Sequence, residues 1–167
     1  MSRVVLVGMP GVGKSTVGRA VADRLGIDFL DLDELLTETL GVRPADFLRD
    51  NGEDAFRVAE ASALRVALQR DAVVSCGGGT VTYEPSRDAL RPHPLVIWLT
   101  APLHVLLERV RGGDRPLLGD SPATALAQLE DSRTPLYRDV ATIEVPTDRP
   151  LDEVVEEIVD RVGKLSS

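Results

Sequence analysis

The stretch Gly8-Met9-Pro10-Gly11-Val12-Gly13-Lys14-Ser15-Thr16 constrains this chain more than any other, because it fits the spacing G-x-x-x-x-G-K-[ST]. Glycines there let backbone N–H groups turn inward around phosphate oxygens, with no Cβ in the way. Lys14 supplies a point charge for the outer phosphates, and the Ser15 hydroxyl stands where Mg²⁺ is held. The helix that begins at Lys14 directs the positive end of its dipole at the same anion. Such a loop needs a strand before it and a helix after it. Residues 3–7 are a short apolar run rich in β-branched side chains, and Val17, Ala20, Val21 and Leu25 recur at helical spacing. Gly11, Val12, Gly13, Lys14, Ser15 and Thr16 are therefore the expected phosphate and nucleotide contacts.

Size and charge narrow the rest. The chain has 167 residues, enough for one domain with a substantial core, and 1–167 reads as a single unit. The net charge of −8 argues against a nucleic-acid partner. An anionic substrate would therefore need a local cluster of positive groups. Cys76 is the only cysteine, so no disulfide framework exists, and a cytoplasmic setting fits. The apolar run 4–7 is too short for a signal-peptide core. No apolar stretch approaches the ~20 residues of a membrane span.

Along the chain, strands alternate with helices. Helix is expected over 14–25, strand over 28–31, and helix over 33–40. A second helix opens at Arg43-Pro44 and breaks at Asn51-Gly52, and another runs over 53–68. Residues 72–76 and 95–99 read as strands buried on both faces, since they do not alternate. A helical turn lies near 85–90, and a helix over 101–110 has Thr100 as cap. Residues 112–121 read as a mobile loop, rich in Gly, Pro and Asp. Ser121-Pro122 restarts a helix, and Arg133 stands at its end. Residues 140–145 form the fifth strand. Leu151, Val154, Val155, Ile158, Val159 and Val162 make the apolar face of the last helix. This alternation predicts an α/β fold whose mainly parallel sheet carries helices on both faces. Ligands in such sheets bind beyond the carboxyl ends of the strands.

That rule gathers three segments around one cleft: the 8–16 loop, Asp31-Leu32-Asp33 and Gly77-Gly78-Gly79. Asp31 and Asp33 are either an exposed acidic helix start or the acids that Mg²⁺ and a reacting hydroxyl need. The triple glycine is either a flexible turn or a bare backbone that a ligand approaches closely. The strand before it ends without an acid, unlike many ATPase motors, and no Asn-Lys-x-Asp follows, which speaks against a GTPase. Arg57, Arg115 and Arg133 could each be a solvated charge, and Arg57 with Glu60 only a helix-surface ion pair. Together they could equally be planar forks for carboxylate or phosphate.

In order along the chain, the 8–16 loop, Asp31-Leu32-Asp33, Phe56-Arg57-Val58-Ala59-Glu60, Gly77-Gly78-Gly79, Arg115-Pro116-Leu117-Leu118 and Arg133-Thr134-Pro135-Leu136-Tyr137 resemble the shikimate kinases. The resemblance spans nearly the whole chain. It implies a three-layer P-loop kinase fold with strand order 2-3-1-4-5, a lid about 112–121 and a substrate-binding helical region about 33–60. It implies transfer of the ATP γ-phosphoryl group, with Mg²⁺, to the 3-hydroxyl of shikimate. By position, Asp33 resembles the residue that binds the substrate hydroxyls and is the candidate base. Arg57 and Arg133 resemble the pair holding the shikimate carboxylate, and Gly77, Gly78 and Gly79 the backbone wall of that pocket. Arg115 resembles the lid arginine on the ATP phosphates, Asp31 the acid holding Mg²⁺ through water, and Arg109 a residue lining the adenine. Arg149 is a further candidate ATP contact. The lid approach at 112–115 and the adenine-side loop at 147–150 are shorter than the family pattern. Small-molecule ligands and a monomer are the expected partners and state.

Two rivals share the loop. One is another small-molecule kinase, for gluconate or a nucleoside monophosphate. An aromatic content of 4% offers little base-stacking surface for the latter. The other is a nucleotide-binding regulatory module without catalysis. Trp98 and Cys76 read as core, and His93 and His104 as surface or helix-end residues.

Overall fold

The computed structural model describes residues 1–111 and 121–166. In chain order the elements are β1 (Val4–Val7), α1 (Lys14–Leu25), β2 (Asp28–Asp31), α2 (Leu32–Leu40), α3 (Pro44–Asn51), α4 (Glu53–Leu68), β3 (Ala72–Ser75), a 3-10 turn (Thr80–Thr82), α5 (Glu84–Leu90), β4 (Val96–Thr100), α6 (Leu103–Arg111), α7 (Pro122–Val140), β5 (Ile143–Pro146) and α8 (Leu151–Leu165). The strands form one sheet in the order β2-β3-β1-β4-β5, every neighbouring pair parallel. Parallel neighbours need long crossovers, and helices supply them on both faces. α1 packs against α8, while α4, α5 and α7 form a separate packed group.

Burial explains the strand sequences. β1 and β3 are buried along their whole length, and β4 up to Thr100. They therefore carry near-continuous apolar runs, Val-Val-Leu-Val in β1, Ala-Val-Val in β3 and Val-Ile-Trp-Leu in β4, rather than alternation. β2 and β5 lie at the edges and keep exposed charged positions, Asp28 and Glu144. The register aligns the carboxyl ends: Asp31 and Leu6 both face Ser75, and Val7 faces Trp98. All five ends thus open on one side, with β1 at the centre. Gly8 leaves β1 at φ +152°, and a Cβ there would lie 2.6 Å from the carbonyl oxygen of Leu99. Only glycine lets the loop start this close to the end of β4.

Several boundaries differ from expectation for physical reasons. α7 does not end near Arg133 but runs unbroken to Val140 with Pro135 inside it. An internal proline removes one hydrogen bond and costs about 3 kcal/mol. Burial on both sides offsets this: Leu126 and Tyr137 are 0% exposed and Val140 is 4% exposed. β5 accordingly starts later, at Ile143. α6 starts at Leu103, and Thr100 ends β4 instead of capping it. Ser121 takes the cap position of α7, but its hydroxyl bonds Thr124 Oγ1 at 3.0 Å rather than the backbone.

Two side chains also depart from expectation. His93 is not a surface residue: it is buried, its Nε2 within 2.9 Å of Ser2 Oγ. Leu151 is 40% exposed, the least covered member of the α8 face. Trp98, Cys76 and His104 sit as expected, the first two buried and the last exposed. The expected lid, about 112–121, lies outside the described residues apart from Ser121.

Candidate active site

A cleft of about 530 Å³ opens at the carboxyl ends of the strands. Its walls include the 10–17 segment, Asp31, Asp33, the 75–78 segment, Arg109, Thr147 and Arg149. Every strand end except that of β4 sends a residue to this lining.

The loop between β1 and α1 forms one wall. Lys14 folds back along it, its Nζ donating to the Gly8 carbonyl at 2.7 Å and the Met9 carbonyl at 3.0 Å. Its charge therefore lies over the loop rather than in bulk solvent. Ser15 Oγ donates to Asp31 Oδ2 at 3.0 Å. Asp31 caps α2 with its other oxygen, which accepts from the N–H groups of Asp33 at 2.9 Å and Glu34 at 3.3 Å. Asp31 is thus a helix cap through one oxygen, while its other oxygen faces Ser15. A hydroxyl and a carboxylate oxygen side by side suit a hard cation that keeps most of its water. Among the described residues no cluster of three His, Cys, Asp or Glu could hold a metal by itself. Thr16 is exposed at the start of α1.

Gly77 and Gly78 line the opposite wall, Gly79 lies just beyond the lining, and Asp33, Glu60, Arg57 and Arg133 crowd the three glycines. A Cβ at Gly77 would lie 3.4 Å from both Asp33 Oδ1 and Glu60 Oε2. At Gly78 it would lie 3.0 Å from Pro10 Cδ and 3.3 Å from Arg133 Nη1. At Gly79 it would lie 2.5 Å from Arg57 Nη2 and 3.2 Å from Arg133 Nη2. The glycines are therefore not a slack turn. They leave room for two guanidinium groups, and Pro10 brings the phosphate-binding loop against the same backbone.

Arg57 is oriented from behind. Its Nη1 donates to Glu60 Oε1 at 2.7 Å, and the second Glu60 oxygen accepts from Thr80 Oγ1 at 3.0 Å. Glu60 is 1% exposed, so this is no helix-surface pair. Burying a carboxylate is costly unless charge and hydrogen bonds satisfy it, and here both oxygens are engaged. Glu53 adds a more exposed contact to Arg57 Nε at 3.3 Å.

At the other end, Arg109 is a strut. Its Nη1 donates to the Val12 carbonyl at 2.9 Å and Thr147 Oγ1 at 3.2 Å, and its Nη2 to the Thr147 carbonyl at 3.2 Å. Thr147 is 5% exposed, with its hydroxyl 3.0 Å from the carbonyls of both Val12 and Thr100. It joins the end of β4, the loop and the β5–α8 connection. Arg149 lines the cleft but engages the Pro146 carbonyl at 3.0 Å and Glu157 Oε2 at 2.6 Å. Leu151 and Val154 give this end an apolar wall.

Sequence reading passed over three residues that organise the cleft: Glu60 as a buried anchor, Thr147, and Tyr137. The Tyr137 hydroxyl donates to the Gly78 carbonyl at 2.6 Å. Pairing of Arg57 with Glu60 was visible in the sequence, but their burial was not. Burial raises the Cys76 thiol pKa far above its usual value, so Cys76 stays a neutral core residue. Arg115 lies outside the described residues.

Comparison with known proteins points one way. The family model described as shikimate kinase matches residues 10–163. The shikimate kinase of Symbiobacterium thermophilum is 41% identical over 165 residues, covering 95% of each chain. That of Corynebacterium efficiens is 41% identical, covering 93% of this chain and 94% of the relative. The structure of shikimate kinase from Acinetobacter baumannii in complex with shikimate superposes with a TM-score of 0.89 at 34% identity, covering 97% of this chain and 93% of the other.

Proposed function

The chain belongs to the shikimate kinase family, and from that premise we propose how its cleft transfers the ATP γ-phosphoryl group to the 3-hydroxyl of shikimate. Phosphoryl transfer asks the protein for charge neutralisation and in-line placement more than for covalent help. The 8–16 loop takes the triphosphate, with Lys14 on the outer phosphates and the α1 dipole aimed at the anion. The nucleotide extends toward Arg109, Arg149 and the apolar wall of Leu151 and Val154. Ser15 and Asp31 would hold Mg²⁺, which supplies positive charge to the phosphates. Arg115, from the lid, adds its own.

The acceptor is held on the facing wall. Arg57 and Arg133 grip the shikimate carboxylate against Gly77, Gly78 and Gly79, and Asp33 receives the 3-hydroxyl. As that oxygen bonds to the γ-phosphorus, the bond to the bridging oxygen breaks, ADP leaves, and Asp33 takes the hydroxyl proton. α2 to α4 form the substrate-binding region. The protein is read as one catalytic unit, a cytoplasmic monomer acting on small molecules.

The observation that carries this reading is the meeting of Arg57 and Arg133 at Gly79, one residue from the backbone that Pro10 touches. A carboxylate grip beside a phosphate cradle is what transfer to a small hydroxy acid requires. A coupled ADP-release assay tests it, with shikimate, gluconate, AMP or no acceptor. ADP release dependent on shikimate alone is expected. Dependence on gluconate or AMP would transfer the assignment to another kinase. ATP binding with no acceptor-dependent release would make the chain a nucleotide-binding module.

A further inference from the structure

We propose that Tyr137 is a positioning residue for the acceptor carboxylate, its hydroxyl fixing the Gly78–Gly79 peptide and the Arg133 guanidinium in one arrangement. The inference rests on the reading of the acceptor pocket given above. Tyr137 is 0% exposed, and its ring stacks on Trp98 with centroids 6.0 Å apart. A buried hydroxyl needs a partner, and this one donates to the Gly78 carbonyl at 2.6 Å. Arg133 stands one helical turn earlier on α7 and brings its guanidinium to the same peptide, Nη1 and Nη2 lying 3.3 Å and 3.2 Å from where a Cβ on Gly78 and on Gly79 would stand. The unbroken passage of α7 through Pro135 sets that spacing and puts both side chains on one face.

The carbonyl contact controls more than the carbonyl. A trans peptide points its C=O and its N–H in opposite directions, and there are no cis bonds among the described residues. With the Gly78 oxygen held by Tyr137, the Gly79 N–H is aimed the other way. Among the described residues, neither the Gly78 nor the Gly79 N–H donates to another backbone group, whereas the Thr80 N–H bonds the Gly77 carbonyl at 3.2 Å. The phenol thus presents an amide donor to the pocket and steadies the arginine beside it. Burial pushes the Tyr137 pKa up to about 12, so the hydroxyl remains a donor through the working range of pH.

Tyr137→Phe tests this, because it keeps the ring and its stack on Trp98 and removes only the hydroxyl. The expected result is a shikimate KM raised about five- to tenfold, the usual scale of one such hydrogen bond, with the ATP KM within about twofold of the parent. Discrimination between shikimate and its carboxamide should shrink in the variant. Combined with Arg133→Lys, the loss should fall short of the product of the single losses, since the two groups act together. An unchanged shikimate KM with a lowered thermal midpoint would overturn the proposal, leaving Tyr137 a core residue. So would equal rises in both KM values, or strictly multiplicative losses in the double variant. If the parent protein shows no shikimate-dependent ADP release, the acceptor assignment fails instead, which the parent assay reveals before any variant is made.

Discussion

Arg57 and Arg133 meet at one point of backbone: a Cβ on Gly79 would stand 2.5 Å from Nη2 of the first and 3.2 Å from Nη2 of the second. The two arginines come from different helices, α4 and α7. What joins them is the end of β3, where the absence of three side chains leaves space for both forks.

Gly79→Ala should therefore disable the grip while sparing the fold. The displaced atoms are ends of flexible side chains, and Gly79 has an ordinary φ of −97°. Charged hydrogen bonds are worth about 1.5–3 kcal/mol, so the shikimate KM should rise at least about tenfold. Arg133→Ala should do the same. Steady-state kinetics with each substrate varied in turn checks both, and an unmoved shikimate KM would show that the carboxylate is held elsewhere.

Asp33→Asn should lower kcat on the order of 10²-fold or more, the scale of a general base, while ATP still binds. Asp33 is exposed on the first turn of α2, and its Oδ1 approaches the Gly77 wall, so the substitution does not disturb the core. Calorimetric ATP titration alongside turnover separates chemistry from binding. Near-parental kcat would remove Asp33 from the reaction.

Thr147→Val should weaken nucleotide binding. It removes a hydroxyl placed among Val12, Thr100 and Arg109; both carbonyls keep a second donor, but the Arg109 guanidinium loses an acceptor, a charged hydrogen bond worth about 1.5–3 kcal/mol. The ATP KM should rise about tenfold with the shikimate KM little changed, and Thr147→Ser should restore it. At about 2–4 °C per kcal/mol for a chain of this size, the thermal midpoint should fall by several degrees. A lowered midpoint with an unchanged ATP KM would make Thr147 purely structural.

His93 should set part of the acid limb of stability. Burial lowers its pKa below the ordinary 6.5, and the nearby N-terminal ammonium acts in the same direction. The Leu95 N–H donates to Nδ1 at 3.0 Å, so that nitrogen holds a lone pair and Nε2–H faces the Ser2 carbonyl at 3.0 Å. The unfolded chain binds the proton more readily, so this contribution is full above about pH 6.5 and is lost as pH falls toward the lower folded value. His93→Gln should flatten the decline in thermal midpoint between about pH 7 and pH 5. An unchanged decline would assign it to other groups.

Much of this was legible in the residues. The 8–16 loop carries its own context, since the strand before it and the helix after it have different periods. The 8–16 loop and the Asp31 and Gly77 segments could be gathered into one cleft because parallel sheets place their ligands at one end. α7 was less legible: Pro135 reads locally as a stop, and only burial of Leu126, Tyr137 and Val140 carries the helix past it. His93 carried no signal, because its partner Ser2 is distant in sequence and meets it only across the sheet.

The sequence by itself determined the βα alternation, the phosphate-binding loop and the identity of the charged groups, because periodicity, glycine spacing and side-chain chemistry are local properties. Tertiary structure alone decided which of those groups meet: Glu60 buried behind Arg57, Arg133 brought to Gly79, Thr147 wedged beneath the loop, and Tyr137 turned to the Gly78 carbonyl. The physical reason is that these contacts depend on burial and on the distance between segments far apart in the chain, and both exist only once the sheet has assembled.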